Sequence, residues 1–550
     1  MRTIKPLGTL IFSIAVALAG GLHAQTLVTN IKGYSFHHDS PARFSAVSFQ
    51  DDKITGVYQT VPDNKQFAQI IDGKGATLVP GMIDAHGHVL GYGQALNRVV
   101  LNGATSKDEA LERVAQFIAG HKDNKWIRGR GWNQELWPDR AFPDAEALSK
   151  ISSGKLVALG RIDGHALWVN QEVLQLAGIN KDTPSPEGGE IIKDAQGNPT
   201  GILIDNAMNL VYSLIPEPGI AEVKQDLLTS LNKLASLGLT SVHDAGIDYL
   251  TWQAYQELSL EGKLPIRVYV MLDVTDRNYA KMLQKGHIYS EDGKLVIRSV
   301  KISSDGALGS RGAALHEEYS DKPGHFGLLL HDIPNLNKLT LQAMQAEFQV
   351  NTHAIGDKAN TVSLDAFAQA IKQTQSQELR HRIEHAQVIH PDDFKRFQAF
   401  NIIASVQPTH ATSDKNMAED RLGSERIKGA YAWQRLLSNN ALLAGGSDFP
   451  IEPAEPLFGI HAAVTRQDRH NQPEGGWYAT EGVSLHQAFH MFTLGAAYAA
   501  HQENSIGSIE PGKKADFVLL QKDPLAIAPE QLWKIPVLQT WVNGELVWQK

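Results

Sequence analysis

The 550-residue sequence contains no cysteine. This absence excludes disulfide bonds, thiolate metal ligands and the lipid-modified cysteine of a lipoprotein anchor. Charge is not concentrated either, because the formal net charge is only −9 and the chain has no block of basic residues. A nucleic-acid partner is therefore not expected. Internal repeats and low-complexity segments are also missing, and a hydrophobic content of 42% is that of an ordinary globular protein.

One apolar run near the N-terminus stands apart from the rest of the chain. It covers about residues 6–21, follows Arg2 and Lys5, and is succeeded by the small residue Ala24. The run is shorter than the roughly 20 residues that a membrane-spanning helix needs. It therefore predicts a secretory signal at residues 1–24, with a membrane anchor as the alternative. We expect an exported protein, periplasmic or secreted, with no stable membrane anchor once the signal is removed.

A chain of this length predicts two or three structural units. Short strand patterns separated by turn residues fill residues 26–80, and similar patterns recur near the C-terminus. There, Asn543-Gly544 lies between two strand patterns and is a strong hairpin signal. We expect residues 26–80 and 500–550 to form one composite β-sandwich beside a larger domain at residues 81–499.

The larger domain has the pattern of a TIM-like (β/α)8 barrel, which belongs to the α/β class. Eight apolar runs are separated by amphipathic helical stretches such as Val223–Leu237. The predicted barrel strands are Leu78–Asp84, Leu239–His243, Ile266–Leu272, Val296–Ile302, Glu347–His353, His381–His385, Ile402–Gln407 and Ala441–Ser447. The spacing from His353 to His385 is 385 − 353 = 32 residues, about one βα unit of ~30 residues.

One interval between predicted strands is too long for a single crossover. From His88 to His243 the chain runs 243 − 88 = 155 residues. We therefore expect an inserted subdomain at residues 95–220, between the first two barrel strands. Such an insertion emerges at the catalytic face of a barrel, so it is expected to cover the substrate.

Six residues that can ligate metal follow one another at the ends of the predicted strands. His86 and His88 end the first strand, and their side chains point to the same side because strand residues alternate. The remaining residues end strands four, five, six and eight; they are Lys301, His353, His385 and Asp448. Each alone would more often be a structural residue, since the chain has 22 histidines. Their joint order predicts a divalent-metal site at the mouth of the barrel.

With these motifs the chain resembles the amidohydrolase superfamily, and within it the YtcJ-like branch (amidohydrolase family 3) that includes N-substituted formamide deformylases. The resemblance covers nearly all of the chain after the predicted signal. Its motifs are Pro80-Gly-Met-Ile-Asp-Ala-His-Gly-His88, Gly131-Trp-Asn-Gln-Glu-Leu-Trp-Pro138, Asp163-Gly-His-Ala-Leu-Trp-Val-Asn170, Val300-Lys-Ile-Ser-Ser-Asp-Gly-Ala-Leu-Gly-Ser-Arg311, Thr352-His-Ala-Ile-Gly-Asp357, His381-Arg-Ile-Glu-His385, Gly445-Gly-Ser-Asp-Phe-Pro450 and Ile506-Gly-Ser-Ile-Glu-Pro-Gly-Lys-Lys-Ala-Asp-Phe517.

The resemblance implies a metallohydrolase with one or two divalent ions. His86, His88 and Asp448 would hold one ion, and His353 and His385 would hold the second. Lys301 would bridge the two ions as a carbamate, although a one-metal site beside an unmodified lysine is the alternative. Zinc is the default metal for imidazole and carboxylate ligands, and iron or manganese would also fit.

The implied reaction is hydrolysis of a non-peptide carbon–nitrogen bond in an amide, N-acyl compound or formamide. A water activated by the metal would attack the carbonyl, and Asp448 would serve as proton shuttle. Four residues are candidates for binding the small-molecule substrate: His165, Trp168, His243 and Arg311. For His243 the alternative is a packed histidine bonded to Asp244. Glu384 is expected to pair with a nearby arginine.

Other functions remain compatible with these motifs. A heterocycle deaminase of this superfamily would carry a glutamate in a His-x-x-Glu setting, whereas His353 is followed by Ala-Ile-Gly356. A lactone or ester hydrolase would use the same attack and differ only in the leaving atom. A non-catalytic binding or regulatory protein on the same scaffold belongs to another class, and a homo-oligomer is compatible with the sequence.

Overall fold

The first seven strands lie at the N-terminal end of the described chain, which in this computed structural model comprises residues 25–36 and 40–550. These strands are β1 Thr26–Thr29, β2 Lys32–Ser35, β3 Ala42–Phe44, β4 Ala46–Gln50, β5 Lys53–Tyr58, β6 Gln69–Asp72 and β7 Thr77–Pro80. Four of them form a sheet in the order β5-β4-β1-β6. The predicted signal at residues 1–24 lies outside the described residues.

The first barrel strand begins later than the sequence predicts. β8 covers Met82–Gly87, and Gly81 separates it from β7, so the predicted single strand Leu78–Asp84 is wrong at this boundary. Pro80 has no N–H group to continue a ladder. A Cβ at Gly81 would lie 2.2 Å from the Thr240 hydroxyl oxygen, so only glycine fits where the chain passes from an end sheet into the barrel.

Between β8 and the next barrel strand the chain forms a separate six-stranded sheet, which we call the insertion sheet. Its strands are β9 Val99–Val100, β10 Trp126–Trp132, β11 Leu156–Arg161, β12 Ala166–Val169, β13 Gly189–Lys193 and β14 Pro199–Asp205, in the order β13-β14-β12-β11-β10-β9. The helices of this region are α1 Val89–Leu96, α2 Lys107–Gly120, α3 Ala145–Ser152, α4 Gln171–Leu176 and α5 Asn209–Tyr212. Buried Trp132, Trp137 and Trp168 pack together in one of its cores.

The barrel is a nearly closed ring of eight parallel strands. The barrel strands after β8 are β15 Leu239–Ile247, β16 Arg267–Asp273, β18 Leu295–Ser303, β19 Gln349–Ala354, β20 Arg382–His385, β21 Ile403–Val406 and β22 Leu442–Gly445. A short strand, β17 Ile288–Tyr289, flanks the barrel beside β18. The order is β8-β15-β16-β18-β19-β20-β21-β22. A parallel bridge between Gly87 and Phe449 brings the two ends of the ring together. The predicted TIM-like barrel is therefore present, with all eight strands in the predicted order.

Twelve helices cover the outside of the barrel and its loops. They are α6 Ile220–Ser236, α7 Tyr249–Leu260, α8 Tyr279–Gln284, α9 Ile333–Gln345, α10 Asp357–Thr374, α11 Phe394–Ala399, α12 Pro408–Asp414, α13 Ala418–Arg426, α14 Trp433–Ser438, α15 Pro456–Thr465, α16 Leu485–Met491 and α17 Leu494–Ala499. Short 3-10 helices lie at Asn64–Gln66, Gln134–Leu136, Asn206–Met208, Gln377–Leu379, Ile427–Gly429, Ala479–Glu481 and Pro529–Lys534. Within the described residues, no helix is both long and apolar enough to cross a membrane.

The last three strands join the N-terminal end of the chain. β23 Phe517–Leu520, β24 Val537–Val542 and β25 Glu545–Gln549 form a sheet with β7, β2 and β3 in the order β25-β24-β23-β7-β2-β3. β24 and β25 are antiparallel and flank the Asn543-Gly544 turn. A buried ion pair between Arg267 Nε and Asp516, at 2.7 Å, fastens this sheet to barrel strand β16.

His381 predicts a measurable acid sensitivity of the barrel. Complete burial lowers its pKa to about 3, while its Nδ1 accepts a hydrogen bond from the Val350 N–H at 3.1 Å. The unfolded state binds a proton near pH ~6.5 and the folded state does not, so stability falls as the pH drops from 6.5 towards 3. We expect His381→Asn to remove up to about 1.4 kcal/mol per pH unit of this loss.

Urea unfolding at each pH measures the effect, with the exposed His470→Asn as a matched control. An identical pH dependence in wild type and His381→Asn would contradict the assignment.

Candidate metal centre

The six predicted ligands lie at one end of the barrel. His86 is in β8 with His88 just beyond it, Lys301 is in β18, His353 in β19, His385 in β20, and Asp448 follows β22. Parallel strands present their carboxyl ends at the same mouth, which is why residues spread over more than 360 positions converge.

His86, His88 and Asp448 form the first cluster, with one ligand atom from each residue within 4.8 Å of the others. Asp448 Oδ1 lies 3.6 Å from His86 Nε2 and 3.1 Å from His88 Nε2. The backbone fixes this geometry, because the Asp448 N–H donates to the His86 carbonyl at 2.7 Å. Asp448 also has a positive φ of 63°, an uncommon conformation that aims its side chain back at the first strand.

A second cluster shares Asp448 and includes a residue that the sequence analysis missed. His385, His410 and Asp448 satisfy the same 4.8 Å criterion, and His410 Nε2 lies 3.6 Å from Asp448 Oδ2. His410 belongs to α12, directly after the seventh barrel strand. One signal in the sequence could have identified His410, because it lies three residues after the predicted strand Ile402–Gln407.

His353 lies beside the second cluster. Its ring centroid is 4.5 Å from that of His385, but its Nε2 approaches Asp305 Oδ1 at 3.4 Å. Asp305 is itself held by three backbone N–H groups, those of Ala314, Ile355 and Gly356. His353 therefore lies next to His385 but outside the second cluster, whose third member is His410.

Buried side chains behind the first cluster orient the ligands. Glu384 Oε2 lies 2.5 Å from His86 Nδ1, so the opposite ring nitrogen faces Asp448. Glu384 also forms a 2.7 Å ion pair with Arg382, which is the arginine partner expected from the sequence. In the same way, His385 Nδ1 is bonded to Gln407 at 2.7 Å. Such partners behind a histidine fix its tautomer and ring orientation in metal sites.

The electrostatics of the centre favour the metal-binding form of His86, His385 and Asp448. Burial, reinforced by the charge of Lys301, lowers the pKa of His86 to about 4. Burial and the neighbouring His353 lower the pKa of His385 well below its ordinary value. Burial would raise the pKa of Asp448, but the contact with His88 and the electrostatic influence of His86 and His385 lower it well below the usual range. Neutral imidazoles around an ionised carboxylate form a suitable donor set for a divalent cation.

The residues of this centre fit a metal ion by a second, independent criterion. Asp448 Oδ1 and His410 Nε2, which belong to the clusters, and His353 Nε2 beside them are buried and form no hydrogen bond of good geometry; their contacts are the ion-pair approaches of 3.1–3.6 Å given above. Buried polar atoms are almost always paired, and an unpaired group costs about 1–3 kcal/mol. A cation that accepts the lone pairs of Asp448 Oδ1 and His410 Nε2 would satisfy both atoms.

Lys301 reaches the same point from β18. Its Nζ lies 3.3 Å from His86 Nε2, and the residue is only 7% exposed. Burial lowers the pKa of its amine, which favours the neutral, nucleophilic form.

The two substrate candidates of the insertion have different environments. Trp168 is fully buried, and its ring N–H donates to the Asp144 carbonyl at 2.9 Å. It packs in the core of the insertion, which favours a structural role, and its contact with substrate stays a prediction. His165 is exposed and bonds Asp205 through Nδ1 at 2.7 Å.

His243 and Arg311 belong to neither cluster. His243 is fully buried and accepts a hydrogen bond from Arg382 at 3.0 Å. This favours the alternative of a packed histidine, with Arg382 as its partner in place of Asp244, which accepts from Tyr255 and the Val89 N–H; substrate contact by His243 stays a prediction. Arg311 forms a two-point ion pair with Asp321 at 2.7 and 3.1 Å.

Comparison with known proteins agrees with this geometry. Residues 69–548 match the model of the amidohydrolase family. The chain is 34% identical over 520 residues to YtcJ of Bacillus subtilis (strain 168), which carries an amidohydrolase name, with 92% of this chain and 96% of that protein covered. It is 25% identical over 500 residues to the N-substituted formamide deformylase of Arthrobacter pascens, covering 88% and 90%. The crystal structure of an uncharacterized metal-dependent hydrolase from Pyrococcus horikoshii OT3 superposes with a TM-score of 0.73 at 28% identity, covering 92% and 99%.

The eight-stranded barrel and its mouth of histidines and carboxylate define a metal-dependent hydrolase. With the family model matching most of its length, the chain belongs to the amidohydrolase family.

Glu384 gives a test of how the ligands are oriented. We expect Glu384→Gln to weaken divalent-metal binding by about 10–100-fold, because the amide keeps the shape but loses the charge that fixes His86. Competition between the protein and a chelating dye measures the affinity for Zn²⁺. The exposed Glu425→Gln is the control, and equal affinities in the two variants would show that Glu384 does not orient the ligand.

Proposed function

We propose that this enzyme hydrolyses a carbon–nitrogen bond other than a peptide bond, in a small amide, N-acyl compound or N-substituted formamide. The observation that carries the proposal is the pair of clusters that share Asp448, in which Asp448 Oδ1 and His410 Nε2 form no hydrogen bond of good geometry and burial lowers the pKa of His86 and His385. The relative from Arthrobacter pascens is named as an N-substituted formamide deformylase, which supports this bond type.

In this proposal His86, His88 and Asp448 hold one divalent cation, with Zn²⁺ the expected metal. His385 takes part in a second position with His410, and His353 adjoins it. A bound divalent cation supplies Lewis-acid polarisation of the carbonyl and lowers the pKa of water. One ion would occupy the site formed by His86, His88 and Asp448. A second ion would occupy the position around His385.

Lys301 enters the proposal as a carbamate. An ammonium 3.3 Å from the His86 nitrogen would repel a divalent cation, whereas a carbamate is anionic and resembles a carboxylate. The carbamate forms when the unprotonated amine adds to carbon dioxide and releases one proton to solvent, and burial shifts the lysine towards the unprotonated form.

Asp448 acts in the proposed reaction as the group that holds and moves the proton. Its carboxylate is ionised and lies between the two clusters, with Oδ1 facing His88 and Oδ2 facing His410. From this position it takes the proton of the attacking water and delivers it to the departing nitrogen. The side chain of His88 is 38% exposed, so substrate and water can reach this carboxylate from solvent.

The same machinery would serve an ester or lactone, in which only the leaving atom differs. A heterocycle deaminase is less favoured because Gly356 occupies the place of the glutamate expected three residues after His353. A binding or regulatory role would not require the full set of oriented ligands described above. The proposed export through residues 1–24 is independent of these alternatives.

Turnover of a compound panel by Zn²⁺-loaded protein tests the proposal. We expect hydrolysis of at least one N-substituted formamide or N-acyl amino acid, followed by release of the amine. Hydrolysis of lactones alone would redirect the function to carbon–oxygen bonds. Stoichiometric metal without turnover of any panel member would favour the binding role.

Asp448→Asn tests the proton shuttle on whichever substrate is turned over. We expect kcat to fall by about 10²–10⁴-fold while Zn²⁺ stays largely bound, because the amide oxygen can still ligate but cannot take a proton. Asp392→Asn, whose side chain is 92% exposed, is the matched control. Metal content and kcat measured together separate the two effects, and a near-normal kcat in Asp448→Asn would refute the role.

A further inference from the structure

A cavity of about 510 Å³ lies where the insertion joins the barrel. Four arginines line it, namely Arg98, Arg128, Arg130 and Arg161, and Glu217 is the one carboxylate in its lining. None of the metal-centre residues lines it. α1, eight residues or about 12 Å long, separates His88 from the segment that carries Arg98.

The floor of the cavity is one face of the insertion sheet. Arg128 and Arg130 stand two residues apart on β10, so both side chains project from the same face. Their pairing partners on β11 are Ala158 and Gly160, which also line the cavity. These small residues leave space beside the two arginines. A Cβ at Gly160 would have no neighbour nearer than 3.7 Å, so that position opens into the cavity.

The positive charge in the cavity is only partly compensated by the protein. Arg161 pairs with Asp163, and Arg128 lies 3.5 Å from Glu222. Arg130 donates only to the Ile162 carbonyl, at 3.2 Å. The Arg98 Nε is buried and has no hydrogen-bond partner among the described residues, and Asp226 supplies the carboxylate that acts on this guanidinium.

One wall of the cavity is formed by the segment that connects α5 to α6. Tyr212, Ile215, Pro216 and Pro218 line the cavity from this side, and Leu167 adds an apolar contact from β12. The cavity therefore combines guanidinium groups with an apolar surface, and its volume is that of a small-molecule site.

We propose that this cavity binds a small organic anion, with a carboxylate or phosphate group on Arg98 and Arg130 and its apolar part against Ile215 and Pro216. Guanidinium groups recognise these two anions in a two-point geometry. The site is separate from the metal centre and does not depend on the proposed reaction.

A bound anion would contact both of the chain segments that link the insertion to the barrel. Arg98 follows α1 on the entry link, whereas Ile215 and Pro216 lie on the exit link before α6. A ligand that contacts both holds the insertion against the barrel and stabilises the folded protein by mass action.

Isothermal titration calorimetry and thermal unfolding of the full-length metal-loaded protein test the site, with benzoate and phenyl phosphate as probes. The two probes share a phenyl ring and distinguish a carboxylate from a phosphate preference. We expect saturable binding and a rise in Tm with at least one probe, and no comparable effect of sodium chloride at equal ionic strength.

Three variants locate the binding. Arg98→Gln combined with Arg130→Gln should raise Kd at least 10-fold, and Gly160→Val should do the same without changing charge, because it fills the cavity. Arg140→Gln removes an exposed arginine outside the cavity and should leave Kd unchanged. If the double variant fails to fold, Arg130→Gln alone tests the same site, because Arg130 is exposed.

Two outcomes would overturn the proposal. Absence of saturable binding of both probes at 10 mM (about −2.7 kcal/mol at most) would show that the cavity is not an anion site. Equal binding by Gly160→Val and wild type would show that the probe binds elsewhere.

Discussion

The contact between Glu384 and His86, supported by Arg382, is the constraint on which the metal centre depends. All three side chains are fully buried in the barrel, where an unpaired charge is strongly destabilising. Burial would raise the pKa of Glu384, but Arg382 and His86 lower it far below its ordinary value. The carboxylate therefore stays ionised. It fixes the orientation of His86 and compensates the charge of Arg382.

Arg382 extends this constraint to three other strands. From β20 it donates to the Ala85 carbonyl in β8 at 2.6 Å, to the Ser405 hydroxyl in β21 at 3.0 Å, and to His243 in β15. A single guanidinium thus joins the strands that carry the ligands His86 and His385 to their neighbours. Arginine suits this position because its five donors have a fixed geometry and its charge cannot be lost. Ligand orientation and barrel architecture are consequently parts of one network.

Much of this arrangement could be predicted from the sequence, because strand periodicity and strand order act locally along the chain. The apolar runs and the approximately 30-residue spacing define the barrel, and a ligand at a strand end must lie at its mouth. The break at Gly81 could not be predicted, because it results from the approach of Thr240, a residue about 160 positions away. His410 was missed because it lies in a helix after its strand and has no neighbouring ligand in the sequence. The burial of Trp168 depends on a core assembled from three separate segments.

The chemical form of Lys301, ammonium or carbamate, determines whether the charge of a bound divalent ion is balanced. With Lys301 counted as the ammonium, the groups that act on the His86 imidazole and on Glu384 are two cations, Arg382 and Lys301, and two carboxylates, Glu384 and Asp448, which cancel. Asp84, which accepts from the His86 backbone N–H, is left out of this sum because burial raises its pKa to about 7. Adding one divalent ion leaves two uncompensated positive charges, and the repulsion between this ion and an ammonium at ~4 Å is about 8 kcal/mol at an effective dielectric constant of ~20. A carbamate replaces one positive charge with one negative charge, so the same four groups and one ion are neutral. Loading the centre with metal and carboxylating Lys301 are therefore expected to favour each other, since each compensates the charge that the other introduces.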